Sequence, residues 1–419
     1  MKIYMVGGAV RDALLGFPVQ DRDWVVVGAT PQQLLAAGYI PVGKDFPVFL
    51  HPETHEEVAL ARTERKTARG YHGFTFHTDV TVTLEEDLAR RDLTINAIAQ
   101  DEQGRIIDPY GGQQDLHNKM LRHVTSSFAE DPVRILRVAR FAARYVDFQV
   151  APETMALMQQ MVANGEVDAL VAERVWQELS RGLMEQKPSR MLEILHACGA
   201  MAKILPEVAV LFSCQETVPA ALLQGKSASS QQRHIYFNVA EHIQHTLDAS
   251  AKRQLTLAQR YALLLNTPGQ DHCGLEKVQT RMDRASSVSE RLHVPTDCRD
   301  LAILAARELP CVHAFGMLDV EQALALFQRS DAYRKPGRFK ELLGIAQCDA
   351  QIYMDADHMP YPPYLPYSIL HHALQTALSV DTKSVAQKAI TNGLKGEAVG
   401  QAIEHARKHV LEKIAMPAQ

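Results

Sequence analysis

Cysteine is scarce in this chain: there are six in 419 residues, all after position 197, and none falls in a C-x-x-C pair. Structural zinc is therefore not expected, and reduced thiols in a cytoplasmic protein are the simplest reading. No apolar run reaches the ~18 residues needed to cross a bilayer, so no membrane span is expected. The opening MKIYMVGGAV is too short an apolar stretch for a secretory signal, and Arg11-Asp12 ends it at once. Neither G-x-x-x-x-G-K-[ST] nor G-x-G-x-x-G occurs, which sets aside two widespread nucleotide cradles. No fixed-period repeat is visible, so a solenoid is not supported. Positive charge is not in excess either. Lys plus Arg number 44 against 49 Asp plus Glu, a formal charge of −5. That excludes a general nucleic-acid glue but leaves room for one local basic face.

What is present is an ordinary globular composition, 46% apolar and 22% charged. The length exceeds a single core and implies two to four domains. Residues 1–125 read as mixed α/β. KIYMVGG is a strand ending in a glycine turn, AVRDALLG a short helix closed by Gly16, and DWVVVGA a β-branched strand. TPQQLLAAG is a helix with Thr30 as N-cap and Pro31 at its first position. FPVFLH and EEVALART are further strands. The polar stretch ERKTARGYHGFTFHTDVTVT reads as a mobile loop before a helix LEEDLARRDLTINAIA. From 126 onward the apolar spacing is i, i+3, i+4 almost to the end, as in DPVRILRVARFAARYV and VAERVWQELSRGLM. A Ser/Gln-rich stretch after 213 suggests a linker, and MPYPPYLPYS opens a last helical segment. The expected fold is α+β: a mixed-sheet unit over 1–125, then helical units over 126–212, 213–330 and 331–419.

The stretch GGAVRDALLGFPVQDRDWVVVG (7–28) concentrates the chemistry. Residues i and i+2 of a strand face one side, which puts Asp21 and Asp23 together with Cα atoms roughly 7 Å apart. Two neighbouring carboxylates repel unless a cation lies between them. Oxygen-only ligands with open positions suit Mg²⁺ shared with substrate phosphates, and two such ions about 3.5–4 Å apart could activate an attacking oxygen and steady the leaving one, a two-metal nucleotidyl transfer. Gly7-Gly8 lets the backbone approach a ligand closely, the following helix offers free N–H groups to an anion, and Arg11 adds a planar phosphate donor. Together these residues make a place for a nucleoside triphosphate above a metal ion. Glu57, on the EEVALAR strand, is a candidate third metal carboxylate.

A second concentration lies in AEDPVRILRVARFAARY. At 100° per residue Arg134, Arg137, Arg140 and Arg144 fall within an arc of about 120°, a basic ridge on a helix whose other side is apolar. Arginine rather than lysine favours bidentate recognition of phosphates or bases. In RRDLTINA, Asp92 and Asn96 fall at i, i+4 and could bind a sugar or brace the site.

GGAVRDALLG followed by DRD resembles the first motif of the nucleotidyltransferases of the DNA polymerase β superfamily, in the branch of bacterial tRNA CCA-adding enzymes and poly(A) polymerases. The resemblance continues in order through RRDLTINAIA, DPYGGQQDL (108–116), EDPVRILRVARFAAR (130–144) and ERVWQEL (173–179). It implies a catalytic head, a base-selecting neck, and a helical body and tail that grip the acceptor arm and 3′ end of tRNA. It implies CCA addition from CTP and ATP with release of pyrophosphate, Asp21 and Asp23 as metal-binding catalytic residues, and Mg²⁺ as cofactor. Family nucleotide contacts map onto Gly8, Arg11, Arg91, Arg137 and Arg140, while Asp131 and Arg134 would present Watson–Crick-like edges to the incoming base. A cytoplasmic enzyme, monomeric and without membrane association, is expected. The rival readings are a poly(A) polymerase or a CC- or A-only enzyme, an RNA-binding protein with a decayed site, and a phosphohydrolase.

Some close relatives carry a metal-dependent phosphohydrolase domain whose His-Asp pair lies in LLHDLGK. The matching stretch here is YALLLNTPGQD, with Asn266 and Thr267 in place of the pair, so that site should not assemble. His242 and His245, with no Asp partner, read as ordinary polar or core histidines, as do His371, His372, His405 and His409.

Overall fold

The N-terminal apolar run becomes a strand because both of its faces find cover. In the computed structural model, which describes residues 1–19, 21–42, 48–66, 74–77, 79–213, 215–217, 236–266, 270–271, 278–314, 319–355 and 364–413, β1 (Lys2–Val6) leads through Gly7 into α1 (Gly8–Leu14). There follow β2 (Asp23–Val27), α2 (Pro31–Ala36), β3 (Ile40–Val42), β4 (Val48–Leu50) and β5 (Glu57–Leu60). Next come β6 (Thr63–Lys66), β7 (Phe74–His77), α3 (Leu84–Ala89), β8 (Ala99–Asp101), β9 (Ile106–Ile107) and α4 (Gly112–His117). Seven of these strands form one sheet in the order β3-β4-β5-β2-β1-β8-β9. The sheet is mixed: β2 pairs antiparallel with β1 and parallel with β5.

Val25 packs with Val6, Leu88 and Ala99 on one face, and Val26 with Leu34, Phe49 and Val58 on the other. Burial on both sides explains why β2 reads Trp-Val-Val-Val rather than alternating. Thr30 caps α2 in a capping box with Gln33, as the sequence leads one to expect.

Two local expectations give way. The stretch read as a mobile loop contains the antiparallel pair β6–β7, with Thr63 opposite His77. The helix expected through LEEDLARRDLTINAIA stops at Ala89, and only a 3-10 turn, Thr94–Asn96, follows. Leu93, Ile95, Ala97 and Ile98 are fully buried, and Leu93 pairs with His123 in a β-bridge, which ties the segment to a neighbouring stretch instead of extending α3. The DPYGG motif braces this segment. Asp108 accepts the Gly112 and Gln113 N–H groups at 2.7 and 2.8 Å, and a Cβ on Gly112 would lie 2.3 Å from the Thr94 carbonyl oxygen.

Helices then dominate, and the fold is α+β. A short parallel pair, β10 (Met120–Leu121) with β11 (Gln149–Val150), flanks α5 (Val133–Arg144). After it come α6 (Pro152–Ala163), α7 (Ala172–Leu183) and α8 (Pro188–Ala197). The chain divides into two compact units, Met1–Ile204 and Leu205–Gln419. The second unit is built on helices such as Val239–Lys252, Leu257–Leu265, Thr296–His313, Pro336–Asp355 and Glu397–Leu411. The stretch read as a linker opens with a strand, Gln215–Thr217, paired with Tyr236–Asn238. The first half of MPYPPYLPYS, 359–363, lies outside the described residues; a helix, Leu365–Leu378, begins within its second half. Among the described residues no helix is long and apolar enough to cross a membrane.

Candidate active site

Strand pairing brings the glycine turn and the acids together. Val6, the last residue of β1, pairs with Asp23, the first of β2. Gly7 has φ 70°, a left-handed turn that favours glycine, and a Cβ there would lie 2.7 Å from Arg91 Nη1, so a larger residue would also push that guanidinium aside. Asp21 lies in the segment before β2 rather than on the strand, so strand alternation does not place it. It nevertheless lines the same cleft as Asp23, a space of about 500 Å³ also bounded by Gly8, Arg11, Arg144, Tyr145 and Glu185. Burial raises the Asp23 carboxyl above its ordinary value; Arg91 opposes the rise and Asp21 adds to it. Glu57 stands opposite Asp23 in the β2–β5 register. Among the described residues, however, no three His, Cys, Asp or Glu side chains form a group that could hold a metal ion, so Glu57 does not complete a triad with the pair.

Arg11 is buried and held from several sides. Its Nε donates to Asp12 at 2.8 Å and its Nη1 to Asn96 Oδ1 at 2.5 Å, while its guanidinium lies 5.2 Å from the Phe141 ring centre. Asp12 also accepts from Arg144 at 3.0 Å and from the Tyr145 hydroxyl at 2.9 Å. Burial alone would raise the Asp12 carboxyl, but its bond to Arg11 and the charge there, then Tyr145 and Arg144, hold it low. Asp92 accepts from Asn96 Nδ2 at 2.9 Å and from Arg137 Nε at 2.7 Å, partners that outweigh burial and hold its carboxyl far below the usual range. Asp92 and Asn96 are thus tied to Arg137 and Arg11 as braces, although the turn between them is not α-helical. Arg91 donates to Asp87 at 3.3 Å and to the Asn96 carbonyl at 3.5 Å.

The arginine ridge of α5 faces protein rather than water. Arg134 and Arg140 are only 9% and 8% exposed. Arg134 donates to the Ser127 and Arg90 carbonyls, Arg140 to Glu178 at 2.6 Å, and Arg144 to Asp12. This corrects the expectation of a presented basic ridge: Arg134 is held by backbone carbonyls, and Arg137, Arg140 and Arg144 by the carboxylates of Asp92, Glu178 and Asp12. Asp131, just before α5, caps Val133 N–H at 3.1 Å and is gripped through both oxygens by Arg174, at 3.1 and 2.8 Å.

Sequence reasoning gave no role to Asp12, Tyr145, Arg174 and Glu178. Glu178 carries a usable signal, being a charged residue between Val175 and Leu179 on the buried stripe of α7. A buried acid there needs a cationic partner.

In the second unit, His242 does have an acidic partner, contrary to the expectation. Its Nε2 lies 2.8 Å from Asp349 Oδ1, and His313 Nε2 lies 3.0 Å from Oδ2 of the same carboxylate. The Tyr364 hydroxyl is 2.8 Å from His313 Nδ1. Asn266 is buried at the end of helix Leu257–Leu265, and neither side-chain amide atom has a hydrogen-bond partner among the described residues; Thr267 lies outside them.

Two family models match the chain: the poly A polymerase head domain over residues 3–122, and the probable RNA and SrmB-binding site of polymerase A over 147–212. The chain is 52% identical over 418 residues to the multifunctional CCA protein of Leptothrix cholodnii, covering 97% of this chain and 95% of that one. It is 56% identical over 358 residues to the protein of the same name from Azoarcus sp., covering 83% of each. Among solved structures, a CCA-adding enzyme in complex with CTP superposes with a TM-score of 0.61 at 20% identity, over 98% of this chain and 87% of that one. The Thermotoga maritima CCA-adding enzyme complexed with tRNA gives 0.61 at 19% identity, over 100% and 88%.

Proposed function

Because the chain belongs to the family of bacterial CCA-adding enzymes, the multifunctional CCA proteins, we propose the following division of labour. The chain is a tRNA nucleotidyltransferase: it adds C, C and A to the 3′ end of tRNA from CTP and ATP and releases pyrophosphate. Residues 1–125 are the catalytic head, 126–212 the neck, and 213–330 and 331–419 the body and tail that hold tRNA. The enzyme works as a monomer in the cytoplasm.

One observation carries the reading: Asp21 and Asp23 line a single cleft with the glycine turn and Arg11. The donor set is all oxygen and fits a hard divalent ion, Mg²⁺, held by Asp21 and Asp23. Two such ions, when bound, would supply activation of the primer 3′-hydroxyl by one and neutralisation of the departing pyrophosphate by the other. Gly8 brings backbone close to the phosphates, and Arg11 and Arg91 bind them. Arg11 is well suited to this, because Asp12, Asn96 and the Phe141 ring already fix its plane.

Asp131 and Arg134 read the base. A carboxylate accepts from the exocyclic amino group that cytosine and adenine share, and a guanidinium donates to the ring acceptors. Arg174 and the Val133 N–H occupy three of the roughly four lone-pair directions of Asp131 and leave one for the base. Arg137 and Arg140 support this wall through Asp92 and Glu178.

The test is product length and identity on tRNA lacking its terminal triplet, with each nucleotide supplied alone and then CTP with ATP. Addition that stops after C, C and A is expected. Open-ended A addition to unrelated RNA would mark a poly(A) polymerase instead.

A further inference from the structure

Tyr145 has no part in the scheme above, yet it joins the end of α5 to α1. It stands just past Arg144, is buried, and lines the same cleft as Gly8, Arg11, Asp21 and Asp23. Its hydroxyl donates to Asp12 Oδ1 at 2.9 Å. Arg11 Nε donates to that same oxygen at 2.8 Å, while Asp12 Oδ2 accepts from Arg144 Nη2 at 3.0 Å. One carboxylate oxygen thus serves Arg11 and the tyrosine, and the other serves Arg144. The tyrosine ring stacks on Phe141 and on Phe17, with ring centres 6.1 and 6.3 Å apart, so the point from which its hydroxyl donates is fixed. That bond opposes any turn of the carboxylate away from Arg11. Burial pushes the Tyr145 hydroxyl up to about 12, against the pull of Arg11 and Arg144, and it therefore keeps its proton and donates throughout the neutral range. Arg11 in turn stands at the glycine turn: a Cβ on Gly8 would lie 3.5 Å from Arg11 Nη2.

We propose that Tyr145 is a positioning residue for the phosphate end of the cleft: its hydroxyl fixes the Asp12 carboxylate, which fixes the plane of the Arg11 guanidinium for the triphosphate. It acts through Asp12 and Arg11 rather than on the reacting atoms. Helix α5 then serves both ends of the nucleotide, with the base at Asp131 and Arg134 near its start and the phosphates through Tyr145 at its end. The inference rests on the nucleotidyl-transfer reading, in which Arg11 binds phosphate.

The experiment compares the full chain with Tyr145→Phe, which keeps the stacked ring and removes only the hydroxyl. C addition to tRNA lacking its triplet and A addition to tRNA ending in CC are measured against nucleotide and against tRNA concentration. KM for CTP and KM for ATP should rise together, about fivefold, the effect of one hydrogen bond to a charged group. The inhibition constant for pyrophosphate should rise by the same factor, because phosphate is what the three ligands share. KM for tRNA should stay at the wild-type value, and kcat should change less than KM. Unchanged constants for all three ligands overturn the proposal. So do unequal shifts for CTP and ATP, which would assign the hydroxyl to base reading, and equal rises for nucleotide and tRNA, which would mark a merely structural role. In an Asp12→Ala background, where the hydroxyl has no carboxylate to fix, Tyr145→Phe should add nothing; a further rise of similar size means that it acts elsewhere. Should Asp12→Ala not fold, the pattern in Tyr145→Phe decides by itself. If the wild-type chain adds no nucleotide at all, the nucleotidyl-transfer reading fails on its own. Calorimetric titration of both proteins with magnesium pyrophosphate then tests the positioning role separately, and equal affinity with and without the hydroxyl refutes it.

Discussion

Replacing Asp23 by Asn keeps its size and removes its charge. The same holds for Asp21, and both side chains line the cleft rather than the core. Either change should reduce nucleotide incorporation by on the order of a thousandfold, because charge stabilisation at the transferring phosphate is lost. Binding of tRNA, followed by gel shift, should persist; parallel loss of binding in both variants would assign the pair to folding instead. Arg174 makes a subtler case. With Arg174→Ala, Asp131 loses two of its bonds and can swing. Discrimination of CTP over UTP should then relax by about tenfold in kcat/KM, and a variant that slows all nucleotides alike would place Arg174 outside base selection. That the acids and the glycine turn line one cleft was legible because they sit within sixteen adjacent positions, Gly8 to Asp23. Arg174 and Tyr145 were not, because their partners lie 43 and 133 residues away, and a single chain carries no signal for such pairing.

At the scale of elements, periodicity found α5 to α8 because each shows an apolar stripe to one side. It failed after Ala89 for the opposite reason. Leu93 to Ala99 are all buried, so hydrophobicity there has no angular preference to read. The sequence also could not tell that α5 turns its arginines inward, since arginine signals a wet face unless its carboxylate partners are known. Those partners, Asp12 of α1, Glu178 of α7 and Asp92 between α3 and the Thr94–Asn96 turn, come from three separate stretches of the chain. The brace under the Thr94–Asn96 turn gives a prediction at this scale. Gly112→Ala drives a methyl group against the Thr94 carbonyl and the Ile98 side chain. The cost should be about 1–3 kcal/mol, seen as a lower urea midpoint with an unchanged slope. An unchanged midpoint would mean that the turn yields without loss, and that the glycine serves something other than packing.

At the scale of the whole molecule, the proposed function puts the chemistry in the first of the two units, and the buried histidines of the second form a framework. Asp349 spends one oxygen on His242 and the other on His313, and all three side chains are buried. A carboxylate occupied in this way is a staple between helices Val239–Lys252, Thr296–His313 and Pro336–Asp355 rather than an open ligand. With Asn266 where the hydrolytic relatives' His-Asp pair would begin, we predict that the purified chain releases no phosphate from 2′,3′-cyclic nucleotides when Ni²⁺ is added. Metal-dependent release lost in Asp349→Asn would overturn this. The staple also has a pH signature. Burial by itself would raise the Asp349 carboxyl, but the hydrogen bonds and charge of His242 and His313 pull it down to about 2. The unfolded value is about 3.9, so the folded state binds this proton less readily than the unfolded state. Its contribution is therefore fully present above about pH 4 and is lost as pH falls toward about 2. The amount is on the order of 2 kcal/mol, the free energy of a shift of that size. Asp349→Asn should remove this acid-range loss while lowering stability at neutral pH. Urea titrations of both proteins between about pH 2 and 7 check the sign: if their stabilities stay a constant distance apart through that window, the carboxylate has the same pKa folded and unfolded and the histidines do not stabilise its charge.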